Sequence, residues 1–139
     1  MPDYLLEYQS VSESEEKMHD DVTGILAAHN IEGELRQAFI LTVSEAFTNA
    51  LTHGNNYDSD KLIKISIYIN HNSLTADIID EGKGGLKKVF EKSPPTLLSE
   101  HGRGVDLMRY YSSAVRFRKT SIGGLQVTVV FEMKKNEVT

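Results

Sequence analysis

The chain has 139 residues, of which 40% are hydrophobic and 25% charged, and its formal net charge is −5. We expect one domain over residues 1–139, and the acidic balance argues against an extended grip on nucleic-acid phosphates, which needs clustered Lys and Arg side chains. The sequence has no cysteine, which excludes disulfides and thiolate metal sites. It shows no signal-peptide pattern and no apolar run of roughly 18 residues, so we expect a cytoplasmic protein without a membrane segment.

The N-terminal segment predicts a strand followed by a helix. DYLLEYQSV, residues 3–11, has strand character and is expected at a sheet edge. A helix should begin at Ser12, because Ser12 and Glu15 have the spacing of a capping box and acidic residues crowd the first turn. The inward face of this helix is predicted to carry Val22, Ile25, Leu26 and His29.

The longest helical pattern, residues 33–56, carries two stripes and ends at Gly54 and the two asparagines after it. One stripe is a conventional apolar core face. The adjacent, partly apolar side holds five polar residues, Thr42, Glu45, Asn49, Thr52 and His53.

This polar stripe has more than one interpretation. Polar residues at four-residue spacing are common on solvated helix faces. Asn and Thr are poorer helix formers than Lys, Glu or Gln, however, which favours oxygen ligands pointing into a cleft. An Asn carbonyl with a carboxylate suits Mg²⁺. Zinc fits less well, because the chain lacks Cys and has one His near Glu45.

The rest of the chain is mostly strands. Residues 61–70 alternate strongly and, with 74–80, predict an antiparallel hairpin, and residues 114–120 and 125–135 predict another joined by SIGG. A short helix is expected over 105–113. The fold class is therefore α+β, a two-layer sandwich whose mixed, mostly antiparallel sheet is covered on one face by helices.

Two glycine clusters stand between these elements. DIIDEGKGG places Asp80 at the end of a strand, before Gly82 and Gly84. HGRGVDLM places Gly102 and Gly104 before the short helix, where backbone amides favour phosphate. Either cluster alone fits an ordinary turn, and neither is a dinucleotide fingerprint or a P-loop.

The order of these motifs resembles the GHKL (Bergerat-fold, histidine-kinase-like) ATPase superfamily. VSEAFTNALTHG, DIIDEGKGG and HGRGVDLM are similar to the anti-sigma-factor serine/threonine kinases of bacterial sporulation and stress control. That resemblance implies an ATP-binding anti-sigma factor that phosphorylates an anti-anti-sigma (STAS-type) partner and otherwise sequesters a sigma factor. It also implies association into a homodimer through the sheet.

The same resemblance implies a role for individual residues. Glu45 would be the general base, with ordinary Glu acidity, and Asn49 would bind Mg²⁺ at the ATP phosphates. Asp80 would accept a hydrogen bond from the adenine amino group. Residues 86–101 would form the ATP lid. The remaining nucleotide-binding residues would be Gly82, Gly84, Gly102, Arg103 and Gly104.

Two positions depart from the family pattern. Leu125 stands where the family usually has a threonine whose hydroxyl joins the adenine network, and Thr128 should face the other side of the sheet. Gly85 replaces a frequent aliphatic residue. Two alternatives therefore remain: a non-catalytic binding module with weak or no ATP turnover, and a detached histidine-kinase catalytic domain, for which the chain offers no convincing acceptor histidine.

Overall fold

The fold is built from five strands and two α-helices. The computed structural model describes residues 1–82 and 112–133; the predicted lid and nearly all of the predicted helix over 105–113 lie outside these ranges. The elements in chain order are β1 (Tyr4–Gln9), α1 (Glu13–Ala28), α2 (Gly33–Asn49), a π turn (Ala50–Gly54), β2 (Leu62–Ile69), β3 (Ser73–Ile79), β4 (Ala114–Lys119) and β5 (Leu125–Glu132).

The strands form one sheet in the order β1-β2-β3-β5-β4, and every described pairing is antiparallel. β1 lies at an edge of the sheet, as predicted. Alternation sets the two faces: in β5, Leu125, Val127, Val129 and Phe131 are buried, whereas the residues between them are partly exposed. The α+β prediction is confirmed.

Helix α2 lies across the inner face of the sheet and supplies much of the core. Near its start, Phe39 packs edge-to-face on Phe131 of β5, with ring centroids 5.5 Å apart. Two turns later, Phe47 packs in the same way on Tyr8 of β1 at 5.6 Å. The helix therefore spans from one side of the sheet to the other. No helix in the described ranges is both long and apolar enough to cross a bilayer.

Helix α1 packs through residues spaced four apart, which are Ser14, Met18, Val22 and Leu26. The predicted capping box is wrong: Ser12 makes no side-chain cap. The Ser14 hydroxyl instead donates to the Gln9 carbonyl at 2.8 Å, which ties the helix start to the end of β1.

Two polar contacts join α1 to β1 further along. Tyr8 donates to Asp21 at 2.7 Å, and the Tyr4 hydroxyl hydrogen-bonds with His29 at the same distance. His29, which was expected on the inward face of the helix, is half-buried and contacts the edge strand β1.

Candidate nucleotide site

Asp80 directly follows β3 and is held by backbone groups. Its carboxylate oxygen Oδ1 accepts hydrogen bonds from the amides of Leu125, at 3.0 Å, and Gly82, at 3.1 Å. Its own amide donates to the Leu125 carbonyl at 3.0 Å. Because three backbone contacts fix the residue, its carboxylate has little freedom to turn.

The electrostatics of Asp80 follow from its burial. The side chain is only 2% exposed, and loss of hydration raises its pKa from 3.8 to about 6. The hydrogen bonds from Leu125 and Gly82, together with the charge of Lys61, act in the opposite direction but do not offset the burial. Asp80 is therefore a buried acceptor that is mostly ionised at neutral pH.

Glycine is required on both sides of this carboxylate. A Cβ at Gly54 would lie 2.1 Å from Asp80 Oδ2, and a Cβ at Gly82 would lie 1.4 Å from the Gly54 carbonyl oxygen. The end of the long helix and the end of β3 therefore approach each other as closely as two backbones can.

The structure shows how Leu125 fits into this arrangement. Its side chain is 4% exposed and belongs to the core, while its backbone makes both hydrogen bonds to Asp80. Thr128 donates to Asp77 on the outer face of the sheet, as alternation predicted. The backbone contribution of Leu125 was not predicted, because the pattern of side-chain types at this position carries no information about it.

The polar stripe of α2 is not an ordinary solvated face. Thr42 is fully buried and Asn49 is 8% exposed, while Glu45 between them is half-buried. Burial raises the pKa of Glu45 above its usual value, so the expected ordinary acidity is wrong. The Thr42 hydroxyl has no hydrogen-bond partner. Glu45 and Asn49 are one helical turn apart, about 6 Å along the axis.

The helix that carries the stripe changes form after Asn49. The α-helix ends there, and residues Ala50–Gly54 form one turn of π-helix. His53 lies in this π turn, and Gly54 ends the helical segment as expected.

The other predicted site residues, Gly84, Gly102, Arg103 and Gly104, lie outside the described residues, as does the lid over 86–101. Within the described part of the chain, the structure brings Asp80, Gly82 and Gly54 together at one end of the sheet. Glu45 and Asn49 lie on the helix that leads into Gly54.

Sequence reasoning missed Asn55, which it interpreted as part of a helix stop. Asn55 is 1% exposed and hydrogen-bonded to three separate segments, one of which is the residue after Asp80. An asparagine directly after a helix-ending glycine gives no signal of such burial, because Asn is common in turns.

The donor set fits ATP with a hard cation. A fixed carboxylate at the end of β3 can accept from an exocyclic amino group. A buried amide and a carboxylate on one helix face offer oxygen atoms, which Mg²⁺ prefers. Gly54 and Gly82 have no side chain, so no Cβ stands between the end of the long helix and the end of β3.

The chain is similar to several known proteins. The family model of the histidine kinase-like ATPase domain matches residues 10–131. An anti-sigma F factor of Clostridium beijerinckii is 29% identical over 93 residues, which cover 63% of this chain and 64% of that protein. An anti-sigma F factor of a Thermoanaerobacter species is 34% identical over 83 residues, 56% of this chain and 57% of that protein. The chain thus spans less than two thirds of the length of either relative.

The fold itself is similar to a solved structure. A crystal structure of the RsbU and RsbW domains of a Mycobacterium tuberculosis protein superposes with a TM-score of 0.64 at 14% identity, covering 96% of this chain and 34% of that one. At this identity the likeness concerns the fold alone. Because the family model covers most of the chain, the resemblance seen in the sequence is confirmed: this protein belongs to the histidine kinase-like ATPase domain family.

Proposed function

We propose that this chain is an ATP-binding anti-sigma regulatory factor that phosphorylates a serine or threonine of an anti-anti-sigma partner of the STAS type. Membership in an ATPase domain family implies ATP binding. Similarity to anti-sigma F factors supports the regulatory role, with a sigma factor as the second partner. Dimerisation through the sheet and a cytoplasmic location belong to the same proposal.

The observation that carries the proposal is the fixed Asp80 carboxylate. It is buried, hydrogen-bonded by the Leu125 and Gly82 amides, and placed against the end of the helix that bears Glu45 and Asn49. A rigid acceptor of this kind distinguishes adenine, which presents an amino group, from guanine, which presents a carbonyl oxygen at the same ring position. Gly82 and the glycines at 84, 102 and 104, with Arg103, complete the proposed nucleotide contacts.

Each proposed residue has a defined part in phosphoryl transfer. The acceptor hydroxyl of the partner forms a bond to the γ-phosphorus as the bond between that phosphorus and the leaving oxygen of ADP breaks. Glu45 accepts the hydroxyl proton, and its raised pKa makes it a stronger base than an exposed glutamate. Asn49 would hold Mg²⁺, which supplies charge compensation for the phosphates.

A binding module without catalysis is the alternative. The Leu125 side chain, buried in the core, cannot supply the hydroxyl that the family usually has at this position. ATP would then bind weakly, and the fold would act through partner binding alone.

Calorimetric titration with Mg-ATP, followed by transfer of labelled γ-phosphate to the partner, separates these functions. We expect the wild type to bind, Asp80→Asn to lose ATP binding, and Asn49→Ala to lose the magnesium dependence. Asp77→Asn is the matched control, because Asp77 lies on β3, just before Asp80, and accepts its hydrogen bond from Thr128. No binding at millimolar ATP would overturn the proposal. Binding without phosphoryl transfer would favour the alternative.

A further inference from the structure

Asn55 is the centre of a buried polar network that joins four segments of the chain. Its side-chain amide nitrogen donates to the Ser10 hydroxyl at 2.8 Å and to the Leu62 carbonyl at 3.0 Å. Its side-chain oxygen accepts from the Glu81 amide at 2.9 Å. Its own backbone amide donates to the Ala50 carbonyl at 2.8 Å. Every polar group of the side chain is therefore used.

The surrounding residues complete the network. The Ser10 hydroxyl, fully buried, donates to the Lys61 carbonyl at 2.8 Å. The Glu81 carboxylate accepts from the Leu62 amide. The end of β1, the start of β2 and the end of β3 are thus joined to the residue that follows the π turn.

The contact with Glu81 lies next to the proposed adenine acceptor. The Asp80 carboxylate accepts a hydrogen bond from the amide of Leu125 in β5. The next residue, Glu81, donates its amide to the side-chain oxygen of Asn55. Gly54, directly before Asn55, touches the Asp80 carboxylate. Asn55 therefore sets where the helix end stands relative to Asp80.

We propose that Asn55 is a positioning residue for nucleotide recognition: through the Glu81 amide it holds the Asp80 carboxylate in register with the helix that carries Glu45 and Asn49. This inference rests on the proposed function, since it assumes that Asp80 selects adenine. Asn55 itself touches no nucleotide in this proposal. Its effect on binding comes only through the placement of Asp80.

A general structural role would predict something different. A buried asparagine with all its hydrogen bonds made also stabilises the fold, and its loss would weaken binding of every nucleotide alike. A positioning role affects only the contact that Asp80 makes. Inosine triphosphate separates the two cases, because it carries the same phosphates and ribose as ATP but has a carbonyl oxygen in place of the adenine amino group.

The experiment measures the affinities of Mg-ATP and Mg-inosine triphosphate by calorimetry for the wild type, Asn55→Ala and Ser10→Ala. We expect Asn55→Ala to lose about tenfold in ATP affinity, the equivalent of one hydrogen bond, with its affinity for inosine triphosphate unchanged. Ser10→Ala is the matched control. It removes a neighbouring member of the network but leaves the contact with Glu81, so its ratio of the two affinities should equal that of the wild type.

The outcomes distinguish this inference from the proposed function. If the wild type does not prefer ATP over inosine triphosphate, Asp80 does not select adenine, and both the inference and the proposed function lose their basis. A wild type that prefers ATP, with the same preference in Asn55→Ala, overturns the inference alone. If circular dichroism shows that Asn55→Ala is unfolded, Asn55→Ser takes its place. Serine is shorter than asparagine but keeps a polar group beside Ser10, and the same two outcomes apply.

Discussion

Leu125 and Asp80 exchange two hydrogen bonds, one in each direction and both 3.0 Å long. The bond from the Asp80 amide continues the ladder between β3 and β5, and the bond from the Leu125 amide ends on the carboxylate. Any residue except proline can supply these backbone groups at position 125. The leucine therefore leaves the support of Asp80 intact, even though it removes a hydroxyl.

Replacing Leu125 with threonine should therefore have a larger effect on the stability of the protein than on the position of the Asp80 carboxylate. We expect Leu125→Thr to destabilise the protein by about 2 kcal/mol, because it takes a buried apolar side chain out of the core and places a hydroxyl there. Urea unfolding measures the change. A stability equal to that of the wild type would mean that the side chain is not packed as described.

The Asp80 carboxylate should lower the stability of the nucleotide-free protein. A raised pKa means that the folded state prefers the protonated acid, so the unfavourable contribution grows as pH rises from 3.8 through about 6. Asp80→Asn should therefore be more stable than the wild type at pH 7, by up to about 3 kcal/mol, with little difference at pH 4. Urea unfolding of both proteins between pH 4 and pH 7 tests this prediction. It would be contradicted if the stability of Asp80→Asn relative to the wild type were lower at pH 7 than at pH 4.

ATP affinity should fall in mild acid. Once Asp80 is protonated, the site holds a neutral acid in place of the carboxylate acceptor, so with a pKa of about 6 the affinity should be about tenfold lower at pH 5 than at pH 7. Calorimetry at both values gives the ratio. Inosine triphosphate is the control, because its phosphates titrate like those of ATP, and an identical fall for both nucleotides would assign the effect to the phosphates.

Gly54 should not tolerate a side chain. In Gly54→Ala the new methyl group would lie 2.1 Å from Asp80 Oδ2, so the helix end or β3 must move. We expect a loss of more than about 2 kcal/mol of stability together with loss of ATP binding. Gly24→Ala in α1 is the control: nothing lies within 4 Å of its Cβ, and it should gain about 0.5–1 kcal/mol. Equal melting temperatures for the two variants would contradict the contact.

Glu45 should be needed for transfer but not for binding. Glu45→Gln keeps the shape of the side chain and removes the base, so we expect phosphoryl transfer to the partner to fall about 10²–10⁴-fold while the affinity for ATP changes little. Single-turnover transfer measures the rate. A rate equal to that of the wild type would assign proton acceptance to another group.

The strands and the helix faces, which depend on hydrophobic periodicity, could be predicted from the sequence. Alternation placed the strands, and β2 and β3 form the predicted antiparallel hairpin, in whose turn Asn70 accepts from the amides of Asn72 and Ser73. Asp80 and Gly82 follow β3, as the apolar strand pattern before them predicted. The buried polar stripe of α2 also follows from helical spacing.

The errors arise where a local pattern competes with tertiary contacts. Ser12 has the spacing of a cap, but Ser14 makes the contact at the helix start because β1 presents the Gln9 carbonyl there. The role of Asn55 depends on three segments distant in sequence, and no local pattern contains it. The raised pKa of Glu45 likewise requires knowledge of what covers it.

The π turn over Ala50–Gly54 has a consequence for chain length. A π turn covers nearly the same rotation as an α turn but contains about one residue more, so the direction of the chain after it is unchanged. With one residue fewer between Asn49 and Gly54, the segment would close as an ordinary α-helix, and the side chain at the position of Asn55 would still face Glu81. The loop of polar contacts at the end of β3 is thus compatible with two lengths of the preceding helix.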